Sequence, residues 1–230
     1  MKKYSIIIPV YNEKDFIEQT LAKVQSLNIE NWEKEVIIVD DGSQDGTQEI
    51  LKLWQEKFKI IFLSKNQGKG AALLAGLAQC QGEIAVIQDA DWEYDPKEIP
   101  KLLAPIISGQ AQVVYGTRMT GNNAVGHWRY YFGNKIIAWL VNLFYGSSLS
   151  DVETGHKAFA CRLLQAIKLE QTGFGFEVEL TAKFLRQQIK IIEVPVKYFP
   201  RRFTQGKKIS WRDGFEAVWL IIKYRLAKQK

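Results

Sequence analysis

An α/β fold with a mainly parallel sheet, covered by helices on both faces, is what this sequence predicts, and three observations predict it. Short apolar runs of strand length alternate with stretches of helical periodicity through the first half of the chain. The runs are apolar at nearly every position, as strands buried on both faces are. Two of them, Val36-Ile37-Ile38-Val39 and Ile84 to Ile87, end in closely spaced acids, Asp40-Asp41 and Asp89-Ala90-Asp91. That pattern places ligand chemistry along the carboxyl edge of the sheet, where open α/β folds bind their ligands.

Taken in order, strands are expected at Ser5 to Pro9, Glu35 to Val39, Lys59 to Leu63, Glu83 to Gln88 and Gln112 to Gly116. Between them, Phe16, Ile17, Leu21, Val24 and Leu27 recur at helical spacing, as do Ile50, Leu51 and Trp54, then Ala72, Leu73, Gly76 and Leu77. The order is β-α-β-α-β-α-β-α-β, which implies a parallel sheet between two helical layers. After Gly116 the rhythm breaks at Gly121-Asn122-Asn123 and Gly126. An aromatic-rich helix follows at Trp128 to Tyr145, another at Glu177 to Gln187, a strand at Ile189 to Tyr198 interrupted by Pro195, and an amphipathic helix at Trp211 to Leu226.

At 230 residues, 47% of them hydrophobic and 24% charged, the chain is an ordinary folded protein with enough material for a substantial core. Cys80 and Cys161 match no metal-ligand spacing and read as small buried thiols of a reducing compartment. Ile6 to Val10 is too short, and too early broken by Pro9, for a secretory signal, so a cytoplasmic location is expected. The runs Ile136 to Tyr145 and Phe215 to Ile222 fall short of the ~20 residues that cross a bilayer. The net charge of +6 is concentrated near the end, where Arg201, Arg202, Lys207, Lys208, Arg212, Lys223 and Arg225 stand among Phe199, Phe203, Trp211, Phe215 and Trp219. Such interleaving suits either an anionic surface or a solvated tail around a few core aromatics.

Asp89 and Asp91 can hold a divalent cation against a diphosphate, because that cation prefers hard oxygen ligands; the same pair can also cap the following turn. Lys65-Asn66-Gln67-Gly68-Lys69-Gly70 follows the third strand and opens a helix, so freed amides and a lysine face the same edge. No Gly-x-Gly-x-x-Gly follows the first strand, where Pro9-Val10-Tyr11-Asn12-Glu13 stands, which makes a dinucleotide-dependent oxidoreductase a poor reading. A nucleotidyltransferase is disfavoured by the same missing glycine-rich loop. His156 has no second histidine or cysteine spaced to share a metal.

These segments in this order, together with Val39-Asp40-Asp41-Gly42-Ser43-Gln44-Asp45-Gly46-Thr47, resemble the family 2 glycosyltransferases. Gly116-Thr117-Arg118, Asp151-Val152-Glu153-Thr154-Gly155-His156-Lys157, Gly175-Phe176-Glu177 and Glu193-Val194-Pro195-Val196 make the chain most similar to the polyprenyl-phosphate (dolichyl-phosphate) hexosyltransferases. The resemblance implies a GT-A fold over 1–200, with a nucleotide-sugar half at 1–118, an acceptor half at 119–200, and a basic loop and helix at 201–230. It implies a UDP- or GDP-linked sugar donor whose base and ribose meet Pro9, Tyr11, Glu13, Val39, Asp40 and Asp41, with Lys69, Asp89, Ala90, Arg202 and Lys208 also on the donor. Magnesium or manganese would be held by Asp89 and Asp91, with Glu93 where relatives often carry glutamine. Lys207 replaces the serine usual in the family's basic loop.

The resemblance further implies inverting transfer of a hexose, glucose or mannose, to polyprenyl phosphate at the cytoplasmic face of a membrane. A phosphate acceptor is already nucleophilic, so positioning and leaving-group stabilisation dominate. Asp91 and Arg118 are the expected catalytic residues, Arg118 gripping phosphate oxygens or forming a structural ion pair. A hydroxyl acceptor would instead require a base, with Asp151 first in line and Glu177 second. A non-catalytic sugar-nucleotide-binding subunit is the alternative from another class. Arg129, in the aromatic stretch Trp128 to Trp139, and Lys135 could meet a lipid phosphate or belong to a packed face. The terminal helix, which relatives often follow with membrane spans, would rest on the membrane surface or on a second copy.

Overall fold

The computed structural model describes residues 1–119, 128–200 and 211–227. Its elements are β1 (Lys2–Val10), α1 (Ile17–Ser26), β2 (Trp32–Asp40), α2 (Thr47–Lys52), β3 (Lys59–Phe62), α3 (Lys69–Leu77), β4 (Ile84–Ile87), α4 (Ile99–Ile107), β5 (Val113–Thr117), α5 (Trp128–Tyr145), β6 (Lys157–Ala160), α6 (Gly175–Arg186), β7 (Ile191–Pro195) and α7 (Trp211–Leu226). Every expected strand and helix forms within a few residues of its expected bounds. One strand, β6, was not expected.

The strands make one seven-stranded sheet in the order β3-β2-β1-β4-β6-β5-β7. β1 pairs in parallel with β2 and β4, β2 with β3, and β5 with β7. β6 runs antiparallel to both neighbours, with Ile87 of β4 and Tyr115 of β5 opposite Lys157. The sheet is therefore mixed, and its one reversed strand brings the segment before β6 alongside the carboxyl end of β4.

The continuous apolar runs are explained by burial on both faces. Ile6 and Ile8 point into a cluster with Ile17, Leu21 and Val24 of α1 and Ile99, Leu102 and Leu103 of α4. Ile7 points the other way, to Ala72 and Leu73 of α3 and Phe176, Leu180 and Phe184 of α6. Each of these isoleucines is fully buried, which stabilises the fold by about 1.5–3 kcal/mol per side chain. At Gly76 the helix comes so close to the sheet that a Cβ would lie 2.5 Å from Ile7 Cγ2. A third cluster joins Ile137, Ala138 and Val141 of α5, Val178 and Ala182 of α6, and Ala217, Leu220 and Ile221 of α7. Among the described residues no helix is long and apolar enough to cross a membrane.

Candidate functional site

Strand order locates the site. From β1 the chain moves outward through β2 to β3, then returns to the other side of β1 as β4. Connections leaving in opposite directions open a crevice at the carboxyl ends of β1 and β4. A cavity of about 400 Å³ fills that crevice, and its wall includes Pro9, Tyr11 and Glu13 after β1, Asp41 after β2, Lys69 at the start of α3, and Asp89, Ala90, Asp91 and Glu93 after β4. Arg118, Glu153 and Glu177 complete the charged lining.

Local structure explains how each segment is held. Both Asp41 oxygens accept backbone N–H groups of the 65–70 loop, from Gln67 and Gly68, each at 2.8 Å. Gly68 takes φ of +100°, and a Cβ on Gly70 would meet the carbonyl oxygen of Gln171 at 2.3 Å. The glycines of this turn thus let α3 start against the 171–173 backbone and aim Lys69 at the crevice. After β4, Trp92 adopts φ of +65°, a left-handed conformation that costs a non-glycine residue about 1 kcal/mol or more. The Lys23 ammonium lies 3.7 Å from the centre of its ring, and Asp91 Oδ1 accepts the Glu93 N–H at 3.1 Å. The resulting tight turn brings Asp89, Asp91 and Glu93 to one wall.

Charge in the crevice is lopsided. Glu13, Asp41, Asp89, Asp91, Glu93, Glu153 and Glu177 line it against only Lys69 and Arg118 among the described residues. Lys69 Nζ stands 2.8 Å from Asp89 Oδ1 and 3.2 Å from Glu177 Oε1. Burial raises the Asp89 carboxyl above its ordinary range; Lys69 opposes this, and the nearby Asp91 charge adds to it. Lys69 is itself raised, its burial outweighed by Asp89 and Glu177.

The Asp89 and Asp91 carboxylates fit a hard divalent cation that takes its remaining ligands from diphosphate and water, as magnesium does when bound through one or two carboxylates. A Cβ on Gly155 would lie 1.9 Å from Asp89 Oδ2, so a glycine there is what leaves Asp89 its position. Glu93 is less available, because it accepts a hydrogen bond from the Tyr198 hydroxyl at 3.0 Å. Among the described residues there is no ready cluster of three or more histidine, cysteine or carboxylate ligands.

Several expected site residues stand elsewhere. Val39 is fully buried against α3, and Asp40 is fully buried beneath the β2 end, where its Oδ2 accepts from Ser43 N at 3.1 Å and Gln48 Nε2 at 2.7 Å. Neither lines the cavity. Asp151 corrects the expected general base. It is fully buried behind Arg118, accepting from Arg118 Nε at 2.7 Å, Arg118 NH2 at 2.6 Å and Asn134 Nδ2 at 2.7 Å. Burial alone would raise its carboxyl, but the Arg118 charge and these hydrogen bonds hold it below the usual range. A carboxylate so engaged orients Arg118 and has no path to an acceptor proton. Glu177, the second candidate, is bonded by Lys157 and paired with Lys69. Arg202 and Lys208 lie outside the described residues, as does any side-chain account of Arg129.

Glu153, which has no expected role in the sequence, belongs to the site. It lines the cavity, and its Oε1 is buried without a hydrogen-bond partner. Burial pushes its carboxyl up to about 7, against the pull of Lys157. The segment is fastened from behind by Lys157, fully buried, whose ammonium donates to the Val152 carbonyl at 3.0 Å, to the Thr154 carbonyl and to Glu177 Oε2. The local signal for it is the Glu153-Thr154-Gly155 sequence just ahead of the buried Lys157. His156, also buried, bonds Gln88 Oε1 through Nε2 at 2.7 Å and serves the fold beneath the cavity floor.

Residues 5–172 match the family model described as glycosyl transferase family 2. The chain belongs to that family. Family 2 relatives include an undecaprenyl-phosphate mannosyltransferase of Micrococcus luteus, 29% identical over 96% of this chain and 93% of its own length. A dolichol-phosphate mannosyltransferase of Pyrococcus furiosus is 29% identical over 98% of this chain and 64% of its own. An undecaprenyl-phosphate 4-deoxy-4-formamido-L-arabinose transferase of Pseudomonas savastanoi pv. phaseolicola is 32% identical over 84% and 57%. The chain thus spans only a little over half to two-thirds of some relatives and nearly all of another. The fold is GT-A-like: glucosyl-3-phosphoglycerate synthase of Mycobacterium tuberculosis, solved with uridine diphosphate, superposes with a TM-score of 0.76 over 97% of this chain and 80% of that one, at 20% identity. The same synthase has been solved with Mn2+, UDP-glucose and phosphoglyceric acid.

Proposed function

We propose that this chain is a metal-dependent, inverting hexosyltransferase that moves glucose or mannose from a UDP- or GDP-linked donor to polyprenyl phosphate. The observation that carries the reading is the convergence of Pro9 to Glu13, Asp41 and Asp89 to Asp91 on one crevice at the topological switch point. With seven acidic side chains on its wall against two basic ones among the described residues, that crevice disfavours a bare diphosphate. A cation between Asp89, Asp91 and the phosphate oxygens would reverse the sign locally and neutralise charge on the departing nucleotide. Lys69, at the start of α3, sets the Asp89 carboxylate. Arg118, clamped from behind by Asp151, presents a fixed guanidinium to a phosphate of donor or acceptor. Three relatives named for undecaprenyl or dolichol phosphate support the acceptor class.

A lipid acceptor requires the protein to meet a membrane, and two exposed stripes support this. Phe132, Ile136, Trp139 and Leu143 on α5, and Phe215, Trp219, Ile222 and Leu226 on α7, share the same four-three-four spacing and are all exposed, Trp139 by 61% and Trp219 by 57%. Lys135, Lys223 and Arg225 stand among them, all exposed. Apolar faces bordered by lysine and arginine suit the surface of an anionic bilayer. We infer peripheral attachment at a cytoplasmic membrane face.

One observation favours a second reading. Glu153, at the cavity wall with its carboxyl raised to about 7 by burial, would serve as the base if the acceptor were a saccharide or glycolipid hydroxyl. The test is a donor panel, UDP- against GDP-linked glucose and mannose, with Mg2+ or Mn2+ and either a short polyprenyl phosphate or a glycolipid acceptor. Transfer to the phosphate that survives Glu153→Gln supports the first reading. Transfer only to the hydroxyl acceptor, abolished by Glu153→Gln, replaces it with the second. Binding of nucleotide sugar without transfer to either would make the chain a sensor or partner subunit.

A further inference from the structure

The two cysteines, Cys80 and Cys161, sit on the sheet face opposite α1 and α4, beside the cluster formed by α3 and α6. They are 81 positions apart in sequence, yet their Sγ atoms stand 3.2 Å from each other. Ordinary sulfur contacts are wider, and a disulfide bond is about 2.05 Å long. Both thiols are partly exposed.

Neither is on a loose segment. Cys80 ends the turn that leaves α3, its N–H donating to the Leu77 carbonyl at 3.2 Å. The two residues after it are tied down as well, Gln81 N by Glu35 Oε2 at 2.9 Å and Gly82 N by Ser5 Oγ at 2.9 Å. Cys161 directly follows β6, and its N–H donates to the Glu83 carbonyl at 2.9 Å. Hydrogen-bonded backbone on both sides makes the short sulfur separation a fixed feature of the fold.

We propose that Cys80 and Cys161 are a dithiol modification site that closes to a reversible intramolecular disulfide on meeting a thiol oxidant, a peroxide or a low-molecular-weight disulfide. With a peroxide, the Cys80 thiolate attacks one oxygen and the O–O bond breaks, leaving a sulfenic acid and releasing water once the second oxygen takes a proton. The Cys161 sulfur then displaces the sulfenic hydroxyl, which leaves as a second water with the Cys161 proton. Two thiols lose two electrons and the peroxide gains them. With a small disulfide, two exchanges do the same and release two small thiols. Cys80 attacks first: its contact with the Cys161 sulfur, in which either atom can donate, holds its thiol below the usual range and so favours the thiolate there.

Geometry gives the pair a reach beyond its own corner. The helix that ends near Cys80 begins at Lys69, and the strand that ends just before Cys161 begins at Lys157. The bond would therefore tie together the far ends of α3, which begins at the cavity-lining Lys69, and of β6, which follows the cavity-lining Gly155. The inference does not depend on what that cavity binds.

The experiment treats the full chain with hydrogen peroxide or diamide, blocks remaining thiols with N-ethylmaleimide, and digests it for peptide mass analysis. The expected result is one peptide pair joined through Cys80 and Cys161, two hydrogens lighter than the separate peptides and restored by dithiothreitol. Oxidised wild type should unfold at higher denaturant than reduced wild type, a shift absent in Cys161→Ser. Recovery of both cysteines as maleimide adducts overturns the proposal. So does Cys80 found only as a sulfinic acid or a small-thiol adduct, or a crosslink confined to chain dimers.

Discussion

Single residues carry most of the chemistry, and Asp151 is the one whose placement changes the account most. Its carboxylate is fully buried and forks onto Arg118. Asp151→Ala should therefore destabilise the fold by roughly 3–5 kcal/mol, because it removes one member of a buried ion pair and the two-pronged hydrogen bonding that goes with it; urea unfolding measures this. A general base would give the opposite pattern, full stability with no turnover. His156 allows a test by pH. Burial holds its imidazole down to about 3, against 6.5 for the free group, so the unfolded chain binds the extra proton. Its contribution is whole above pH 6.5 and is lost as pH falls toward 3, by up to about 1.4 kcal/mol per pH unit. Glu153 works in the other direction: raised from 4.5 to about 7, it favours the folded state at low pH and loses that contribution as pH rises through 7. Comparing wild type with His156→Gln by urea midpoint at pH 7 and pH 5 isolates the histidine. The wild type should lose stability relative to the variant at pH 5, and parallel curves would refute the assignment.

At the scale of elements, the alternating half of the fold was legible and the reversed strand was not. β1, β2 and β4 announce themselves by continuous branched residues, which only a strand buried on two faces can use. β6 is four residues, Lys157-Ala158-Phe159-Ala160, preceded by turn formers. Its lysine is tolerated in the core only because Glu177 and two carbonyls meet it, and no local pattern advertises partners 20 residues away. The Arg118–Asp151 pair, 33 residues apart, was hidden for the same reason. Val39 and Asp40 were carried to the donor site by resemblance, whereas the β2 end turns Asp41 toward the crevice and leaves its two predecessors inside. The 65–70 turn offers a sharp test, since a Cβ at Gly70 would collide with backbone rather than a movable side chain. Gly70→Ala should displace Lys69 and weaken nucleotide binding at least about tenfold, a loss of ~1.4 kcal/mol, with the sheet's circular dichroism unchanged. The exposed stripe of α7 gives another. Trp219→Glu should reduce cosedimentation with anionic vesicles roughly tenfold or more, given the ~1.5–3 kcal/mol that a buried large apolar side chain contributes. Equal binding to neutral and anionic vesicles would contradict the role given to Lys223 and Arg225.

The whole molecule reads as one sheet whose switch point gathers acids from β1, β2 and β4, and whose far edge carries a three-helix cluster with exposed apolar stripes. Sequence spacing alone identified the acids after β2 and β4, because their position at strand ends is a local property. The surplus of negative charge became visible only when Glu13, Glu153 and Glu177, drawn from distant segments, met on the same wall. That surplus is why a cation is central to the proposed chemistry. The most direct measurement is calorimetric titration of the chain with uridine and guanosine diphosphates, with and without Mn2+, for wild type and Asp91→Asn. The expected result is binding of one diphosphate that requires the metal in wild type and is weakened at least about 10²-fold in the variant, in line with loss of a preorganised charge stabiliser. Metal-independent binding of equal strength in both proteins would contradict it.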